Sequence, residues 1–248
     1  MEGTEGLVMR PVADSPPVHV TAYRTEVKIP LPSVLLGDVK AWVMVHPAHW
    51  RRTYPPRQVN NIYFDTLGLA SLNTNLGGVG VRSKLRLRWY GDQLSRVADA
   101  QLELKRKRGT TGWKEIVAVG VDLDLSDARW PEVAAALDEA AGGTARLWLQ
   151  HFPLPVLVSC YRRDYYATSD GEIRLTVDSD LRAYGQRSTC VPNLSVAASL
   201  GDQVVIELKA SADALSARRV NDALSYLPPS ADRFSKYVSG VLGFHDFR

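Results

Sequence analysis

One short segment of the chain, VRSKLRLRWYG at residues 81–91, carries a cation at every second position. Successive side chains of a β-strand point to opposite faces, so a strand here would present all of these cations on one face. The cations are Arg82, Lys84, Arg86 and Arg88. Neighbouring like charges destabilise a sheet unless an anion compensates them. Arginine forms paired hydrogen bonds with phosphate oxygens, so a row of phosphates is a suitable ligand for this face.

Five other segments place charged or polar side chains at every second position, and in four of them aliphatic residues occupy the positions between. Their charged positions include Arg24, Glu26, Lys28, Glu103, Lys105, Lys107, Arg163, Arg174, Asp178, Glu207 and Lys209. A single strand of this kind is usually half-buried, with its charged face in water. Six together favour charged faces that meet inside a closed β-barrel, where the charges require compensation. A polyanion would satisfy the cations, and a divalent cation such as Mg²⁺ or Mn²⁺ would satisfy the carboxylates.

The periodicity along the rest of the chain predicts the elements that hold these faces in place. Strands are expected at 22–29, 57–66, 80–91, 98–108, 113–121, 154–168, 171–184 and 203–210, and helices at 34–46, 67–78, 131–141, 144–151, 213–227 and 232–243. Pro30 and Pro32 are expected to end the first strand. The predicted fold class is α+β, a closed antiparallel β-barrel tunnel of about eight strands with helices packed outside. Residues 21–248 are expected to form a single domain after a flexible leader at 1–20.

The composition limits the classes of protein that fit. The formal net charge is +3 over 248 residues, so a strong positive field must come from the local arrangement of the cations. Cys160 and Cys190 occur without a secretory signal, which predicts reduced thiols and a cytoplasmic location. Runs approaching the roughly 18 apolar residues of a membrane span are absent from the sequence. The five histidines lack the spacing of metal ligands.

Seven motifs, in order along the chain, carry a resemblance to a known family. They are NIYFDT (61–66), RLRWYG (86–91), LELKRKR (102–108), YRRDYY (161–166), IRLTVD (173–178), VIELK (205–209) and RFSKYVSGV (233–241). Together they resemble the polyphosphate polymerase domain of the vacuolar transporter chaperone family, in the triphosphate tunnel metalloenzyme superfamily. The likeness extends from about residue 22 to 243. The sequence contains neither the family's phosphate-sensing helical domain nor its membrane segment, so we expect the stand-alone prokaryotic form.

The resemblance implies roles for individual residues. The family's catalytic contacts with substrate phosphates match Arg86, Arg88, Lys105, Arg163, Lys28 and Lys236. Its metal-binding glutamate matches Glu207, and accessory carboxylates of the superfamily match Glu26 and Glu103. A further tunnel lysine matches Lys114, and the shared strand faces add the substrate-binding candidates Lys84, Lys107, Arg174, Lys209 and Arg24. Asp178 either binds metal or pairs with Arg174, and the sequence leaves both possibilities open.

The implied reaction is metal-dependent transfer of the γ-phosphoryl group of ATP to a growing polyphosphate chain, with release of ADP. The cofactor would be Mn²⁺ or Mg²⁺, and the partners ATP and inorganic polyphosphate or triphosphate. Two alternatives remain open: a tripolyphosphatase or nucleoside triphosphatase, in which water attacks, and a polyphosphate-binding module without turnover. Nucleic-acid binding is disfavoured because carboxylates interrupt the cationic faces and an RNP-like aromatic pattern is missing. The metal, the chain length and the oligomeric state are not determined by the sequence.

Several other residues in these motifs are interpreted as structural. Tyr63 and Asp65 of NIYFDT are assigned to the framework rather than to the chemistry. Trp89, Trp113 and Trp148 are assigned to the core or its rim. We therefore predict no adenine pocket.

Overall fold

The computed structural model describes residues 18–21, 24–109, 111–198, 200, 202–211, 214–225, 227 and 234–243. The strands are β1 (His19–Thr21), β2 (Arg24–Pro32), β3 (Arg51–Asp65), β4 (Val81–Tyr90), β5 (Arg96–Val97), β6 (Ala100–Arg108), β7 (Thr111–Val119), β8 (Leu123–Asp124), β9 (Leu154–Ala167), β10 (Arg174–Gly185), β11 (Ala197–Ala198) and β12 (Gln203–Ser211). The helices are α1 (Leu36–Val45), α2 (Ala70–Leu76), α3 (Trp130–Ala140), α4 (Gly143–His151), α5 (Ala214–Ala223) and α6 (Lys236–Leu242). A 3₁₀ turn, Ser33–Leu35, leads into α1.

One large sheet organises the molecule. Its strands are ordered β1-β7-β6-β4-β3-β9-β10-β12-β2, with β11 paired to β10, and the neighbours are antiparallel. β5 and β8 form a separate two-stranded ribbon. This arrangement confirms the α+β class and places each of the eight predicted strands in the sheet.

The two ends of the strand order come close together. β1 pairs with β7 at one end and β2 with β12 at the other, although only two residues separate β1 from β2 in the chain. A side-chain contact also crosses between these ends, because Lys105 Nζ of β6 lies 2.7 Å from Glu26 Oε2 of β2. Within the described ranges β2 has no hydrogen-bonded register with β7, so complete closure into a barrel stays a prediction.

Two strands extend beyond their predicted bounds, in both cases through proline. β2 continues past Pro30 to Pro32. Proline has no backbone N–H to donate, and β2 tolerates this because it lies at the end of the strand order, where strands need fewer ladder hydrogen bonds. β3 begins at Arg51 rather than at 57. Its register against β9 shifts on either side of Tyr54, a bulge that accommodates Pro55 and Pro56. The predicted leader also ends earlier, because β1 begins at His19; residues 1–17 lie outside the described part.

The aliphatic faces of the strands pack against helices, as predicted. On β4, Leu85, Leu87 and Trp89 are fully buried in a cluster with side chains of α3 and α4. A second cluster joins β2, β10 and β12 to α1 and α5. Helix α6 is an exception to the prediction that helices pack outside. It packs against Leu157 and Ala183, which share the charged face of the sheet.

Candidate active site

The strand register brings the predicted charged positions onto one face of the curved sheet. Arg86 lies opposite Glu103, and Lys84 lies opposite Lys105, across the β4–β6 pair. Asp178 lies opposite Arg163 across β10 and β9. Farther along the sheet, Thr176, Glu207 and Lys28 are register partners in β10, β12 and β2, as are Arg174, Lys209 and Glu26. The alternation in the sequence therefore becomes a common inner face.

Glu103 is the centre of the first charge cluster and is 2% exposed. It accepts a hydrogen bond from Arg86 Nε at 2.6 Å and one from Lys114 Nζ at 2.9 Å, and Arg88 Nη1 lies 3.6 Å away. Burial raises the pKa of Glu103, but the charges of these three cations lower it well below its usual range. The carboxylate is therefore ionised and holds both arginines in fixed orientations.

Asn61 and Tyr161 orient the second arginine further. Arg88 Nε donates to Asn61 Oδ1 at 3.0 Å, and Arg88 Nη2 lies 3.2 Å from the Tyr161 hydroxyl. The arginine is buried, with 6% of its surface exposed. The sequence analysis gave no role to Asn61 or Tyr161. The two-residue spacing of Tyr161 and Arg163 in YRRDYY places them on the same strand face, and this spacing could have indicated Tyr161 as a site residue.

Asp178 is the centre of the second cluster. Its two oxygens accept hydrogen bonds from Arg163 Nε and Nη2, and Lys236 Nζ of α6 donates to Oδ2 at 2.6 Å. Burial raises the pKa of Asp178, but Arg163 and Lys236 lower it below its ordinary value overall. Asp178 pairs with Arg163 and Lys236 rather than with Arg174, and the alternative that it binds metal stays open.

A third cluster contains two neighbouring carboxylates. Lys28 Nζ lies 2.8 Å from Glu26 Oε1 and 4.0 Å from Glu207 Oε1, so the two glutamates share one amino group. Lys105 also binds Glu26, and Lys209 Nζ lies 2.9 Å from Glu207 Oε1. Burial raises the pKa of Glu207, but these cations lower it well below its usual range. Both glutamates are therefore ionised at neutral pH.

Three lysines lie side by side across β4, β6 and β7. Lys84 is the register partner of Lys105, which is the register partner of Lys114. Burial and the neighbouring cations lower the pKa of Lys84 to about 7. Burial lowers the pKa of Lys114 to about 8, although Glu103 raises it. Like charges in adjacent register positions are destabilising, and their arrangement here indicates a site for an anion.

Cations outnumber carboxylates on the described inner face. The three clusters and the lysine row together hold nine cations and four carboxylates: Lys28, Lys84, Arg86, Arg88, Lys105, Lys114, Arg163, Lys209 and Lys236, and Glu26, Glu103, Asp178 and Glu207. Arg82 and Lys107 form the register pair next to Lys84 and Lys105. Arg174 is exposed at the first position of β10. The Arg24 side chain lies outside the described part. The excess of positive charge favours a polyanionic ligand.

The three glutamates predicted as metal ligands do not lie together. Glu26 and Glu207 are adjacent through Lys28, and Mg²⁺ or Mn²⁺ commonly binds one or two carboxylates together with substrate phosphates. Among the described residues, no three His, Cys, Asp or Glu side chains form a metal-binding group. Glu103 is therefore not grouped with the other two glutamates. Glu26 and Glu207 fit a divalent cation that phosphate oxygens complete.

Helix α6 delivers its residues to this face through its first turn. Ser235 caps the helix, its Oγ accepting from the Val238 amide, and the same oxygen accepts from Lys84 Nζ at 2.9 Å. The hydroxyl of Tyr237 donates to buried Asp65, which also accepts from the Ser71 and Leu72 amides at the start of α2. This network places Lys236 beside Asp178 and agrees with a structural role for Asp65.

The tryptophans lie away from the charged face. Trp89 and Trp148 are buried in the core beneath α3 and α4. Trp113 donates to Glu115, whose other partner is Arg106 on the opposite face of the sheet. His46 packs against Trp42 and Trp50, and its Nδ1 accepts from the Ala48 amide. These residues belong to the framework.

Comparison with known families decides the relationship. The sequence profile of the VTC domain matches residues 23–245. The chain belongs to the VTC domain family. This membership confirms the resemblance recognised in the sequence, and the match spans every motif that carried it. No curated protein sequence matches the chain.

Solved structures similar to this VTC domain have low sequence identity. A putative adenylyl cyclase from Hippeastrum, described as having a dominant triphosphatase activity, is 14% identical with a TM-score of 0.47, over 90% of this chain and 96% of that one. A putative adenylate cyclase from Vibrio parahaemolyticus is 14% identical with a TM-score of 0.44, over 83% and 86%. The Schizosaccharomyces pombe Mediator head module is 10% identical with a TM-score of 0.41, over 83% and 96%. In the described part of the VTC domain, every helix is too short or too polar to cross a bilayer.

Proposed function

We propose that this VTC domain is a metal-dependent polyphosphate polymerase. It transfers the γ-phosphoryl group of ATP to a polyphosphate chain and releases ADP, inside a tunnel formed by closure of the curved sheet. The observation that carries the proposal is the excess of cations on the inner face, above all the row Lys84, Lys105 and Lys114. A chain of phosphates supplies the negative charge that this face lacks.

Positioning and charge neutralisation provide most of the catalysis in phosphoryl transfer. Glu103 and Asn61 fix the guanidinium planes of Arg86 and Arg88, so that both can contact phosphate without reorganisation. Asp178 fixes Arg163 and Lys236 in the same way. Lys28 of β2 and Lys105 of β6 both contact Glu26, and they add positive charge for the substrate phosphates between these two strands.

The proposed cofactor is Mg²⁺ or Mn²⁺, held by Glu207 and Glu26. A bound divalent cation would neutralise phosphate oxygens and orient the transferred phosphoryl group. The pKa values of both glutamates are lowered, so both are ionised at neutral pH, as metal ligands must be. We assign Glu103 to orienting Arg86 and Arg88, because it contacts both guanidinium groups and is not grouped with the other two glutamates in the described residues. A protein that uses ATP and carries reduced cysteines fits the cytoplasm.

The test is incubation of the protein with ATP and Mn²⁺, followed by gel analysis for polyphosphate and measurement of ADP. We expect long chains from the wild type and none from Arg86→Ala or Lys105→Ala. Glu207→Gln should lose the response to metal. Glu115→Gln is the matched control, because Glu115 pairs with Arg106 on the opposite face of the sheet.

Each product pattern has a defined meaning. Orthophosphate without chains would replace the polymerase with a triphosphatase. Tight binding of tripolyphosphate without any product would indicate a binding module. Wild-type rates in Arg86→Ala and Lys105→Ala would reject the site itself.

A further inference from the structure

The charged row of β4 ends in an aromatic residue. Tyr90 follows Arg86 and Arg88 at the same two-residue spacing, and Lys84 precedes them, so all four side chains share one face. At about 3.3 Å per residue, Tyr90 lies roughly 20 Å along the strand from Lys84. The middle of the row is buried at Arg88, whereas Tyr90 is 38% exposed. The two ends of this face therefore differ in chemistry.

An arginine and two further tyrosines surround Tyr90. The guanidinium carbon of Arg57 lies 4.1 Å from the ring centroid of Tyr90, 5.0 Å from that of Tyr165 and 5.6 Å from that of Tyr54. Arg57 Nε also donates to the Tyr165 hydroxyl at 3.2 Å. The rings of Tyr54 and Tyr165 meet edge to face at 5.6 Å. We call Tyr54, Arg57, Tyr90 and Tyr165 the tyrosine mouth.

In the described part of the chain no carboxylate lies within 4.0 Å of Arg57, whose neighbours are the Tyr165 hydroxyl and three tyrosine rings. Its register partner across β3 and β9 is Arg163, another cation. The Tyr165 hydroxyl fixes the guanidinium while its terminal nitrogens remain able to donate to a ligand. An arginine held beside aromatic rings in this way can stack on a planar ring and bind a phosphate.

The opposite end of the face carries the lysine row, and Tyr237, the ring beside Lys84 there, is 2% exposed and already hydrogen-bonded to Asp65. A polyphosphate chain is charged along its whole length, whereas a nucleoside triphosphate has one charged end and one aromatic end. Bases stack on tyrosine without strong sequence preference, because every base has a π-face. Tyr54 is 57% exposed, so its ring is accessible to such a ligand.

We propose that the tyrosine mouth binds the nucleoside end of the nucleoside triphosphate, with Arg57 contacting the adjoining phosphate. The polyphosphate chain then occupies the side of the lysine row. This inference rests on the proposed function for the identity of the triphosphate and adds a direction to the tunnel. The sequence analysis did not find the mouth, because Tyr54 lies in the proline-containing part of β3 that was not predicted as strand.

The experiment compares binding of ATP and of inorganic tripolyphosphate by calorimetry, in the wild type and in Tyr90→Leu and Tyr54→Leu. Loss of one stacking ring is expected to raise the Kd for ATP about ten-fold. The Kd for tripolyphosphate should stay within about two-fold of the wild type, since this ligand has no base. Tyr90→Phe keeps a ring and should restore ATP binding. Lys105→Ala, at the other end, should weaken both ligands alike.

Equal loss of both ligands in the two leucine variants, or no loss of either, would overturn the inference. The measurement does not require turnover, so its outcome is separate from that of the product assay. An ATP-selective loss in a protein that makes no polyphosphate would support the mouth and reject the polymerase. If the protein makes polyphosphate but its tyrosine variants bind both ligands normally, the polymerase is supported and the mouth is rejected.

Discussion

The amino group of Lys84 illustrates how single residues on the inner face depend on their ligand. Lys28, Lys105, Arg82 and Arg86 all act on it electrostatically, while it donates a hydrogen bond to the neutral Ser235 hydroxyl. Burial and these charges lower its pKa from the ordinary 10.5 to about 7. Between these two values the unfolded chain binds more protons than the folded one, so the free energy of unfolding rises with pH across this window. An anion beside Lys84 would reverse the effect by favouring the charged amine.

We therefore predict that tripolyphosphate binding takes up protons above neutral pH. Calorimetric titrations in buffers of different ionisation enthalpy, at about pH 9, should show uptake approaching one proton at Lys84, because the free amine is neutral there and the bound one charged. Lys114, whose pKa is about 8, is also mostly neutral at pH 9 and adds a further contribution. Lys84→Arg is the matched control, because arginine is charged in both states and its uptake should fall. Identical uptake in the two proteins would exclude Lys84 as a phosphate contact.

At the scale of elements, α6 is a helix that contributes side chains to the site. Its N-cap residue binds Lys84, and its first residue binds Asp178. The helix approaches β9 and β10 closely at Gly240, where a Cβ atom would lie 2.6 Å from Leu157 Cδ2 and 3.2 Å from Ala183 Cβ. Real Cβ atoms do not approach that closely, so glycine at this position permits the packing.

Gly240→Ala should therefore destabilise the protein despite the better helix propensity of alanine. We expect overpacking to cost about 1–3 kcal/mol, partly offset by about 1 kcal/mol of propensity. Thermal unfolding is the measurement, with Gly37→Ala in α1 as the control. A Cβ at Gly37 meets nothing within 4 Å, so that change should be neutral or stabilising. Unchanged stability in Gly240→Ala would mean that α6 can move away from the sheet without cost.

At the scale of the whole molecule, the sheet encloses a face that is electrostatically incomplete. Its aliphatic side is buried under helices, and its charged side holds more cations than carboxylates in the described residues. Folding therefore concentrates like charge, which opposes stability until an anion binds. The ligand should act as a structural component of the fold as well as a substrate.

Tripolyphosphate should accordingly raise the melting temperature. At a free concentration of about 100 Kd, binding to the folded state alone adds about 2.7 kcal/mol. For a domain of this size that corresponds to about 5–10 °C, measured by thermal unfolding with and without the ligand. Sodium chloride at the same ionic strength should produce a much smaller shift, and Arg86→Ala should reduce the response. Equal shifts with chloride and tripolyphosphate would indicate general screening rather than a site.

The sequence by itself determined which side chains share a face. The two-residue period of a strand is fixed by backbone geometry, so the alternation in 81–91 or 203–210 predicts facing without knowledge of any partner. The resemblance to the VTC family depended instead on a set of short motifs in a fixed order, such as RLRWYG, ELK and FSKY. Tyr54 escaped prediction because a bulge carries β3 through two prolines, where local rules end a strand.

Only the tertiary structure decided how those faces compensate one another. Asp178 pairs with Arg163 and Lys236 because register and α6 bring them together, whereas the sequence offered Arg174, which is nearer in the chain. The approach of Glu26 to Lys105, 79 residues away, likewise depends on curvature of the sheet. Ion pairing depends on distance in space, and residues far apart in sequence meet only when strand order, bulges and helix packing are in place.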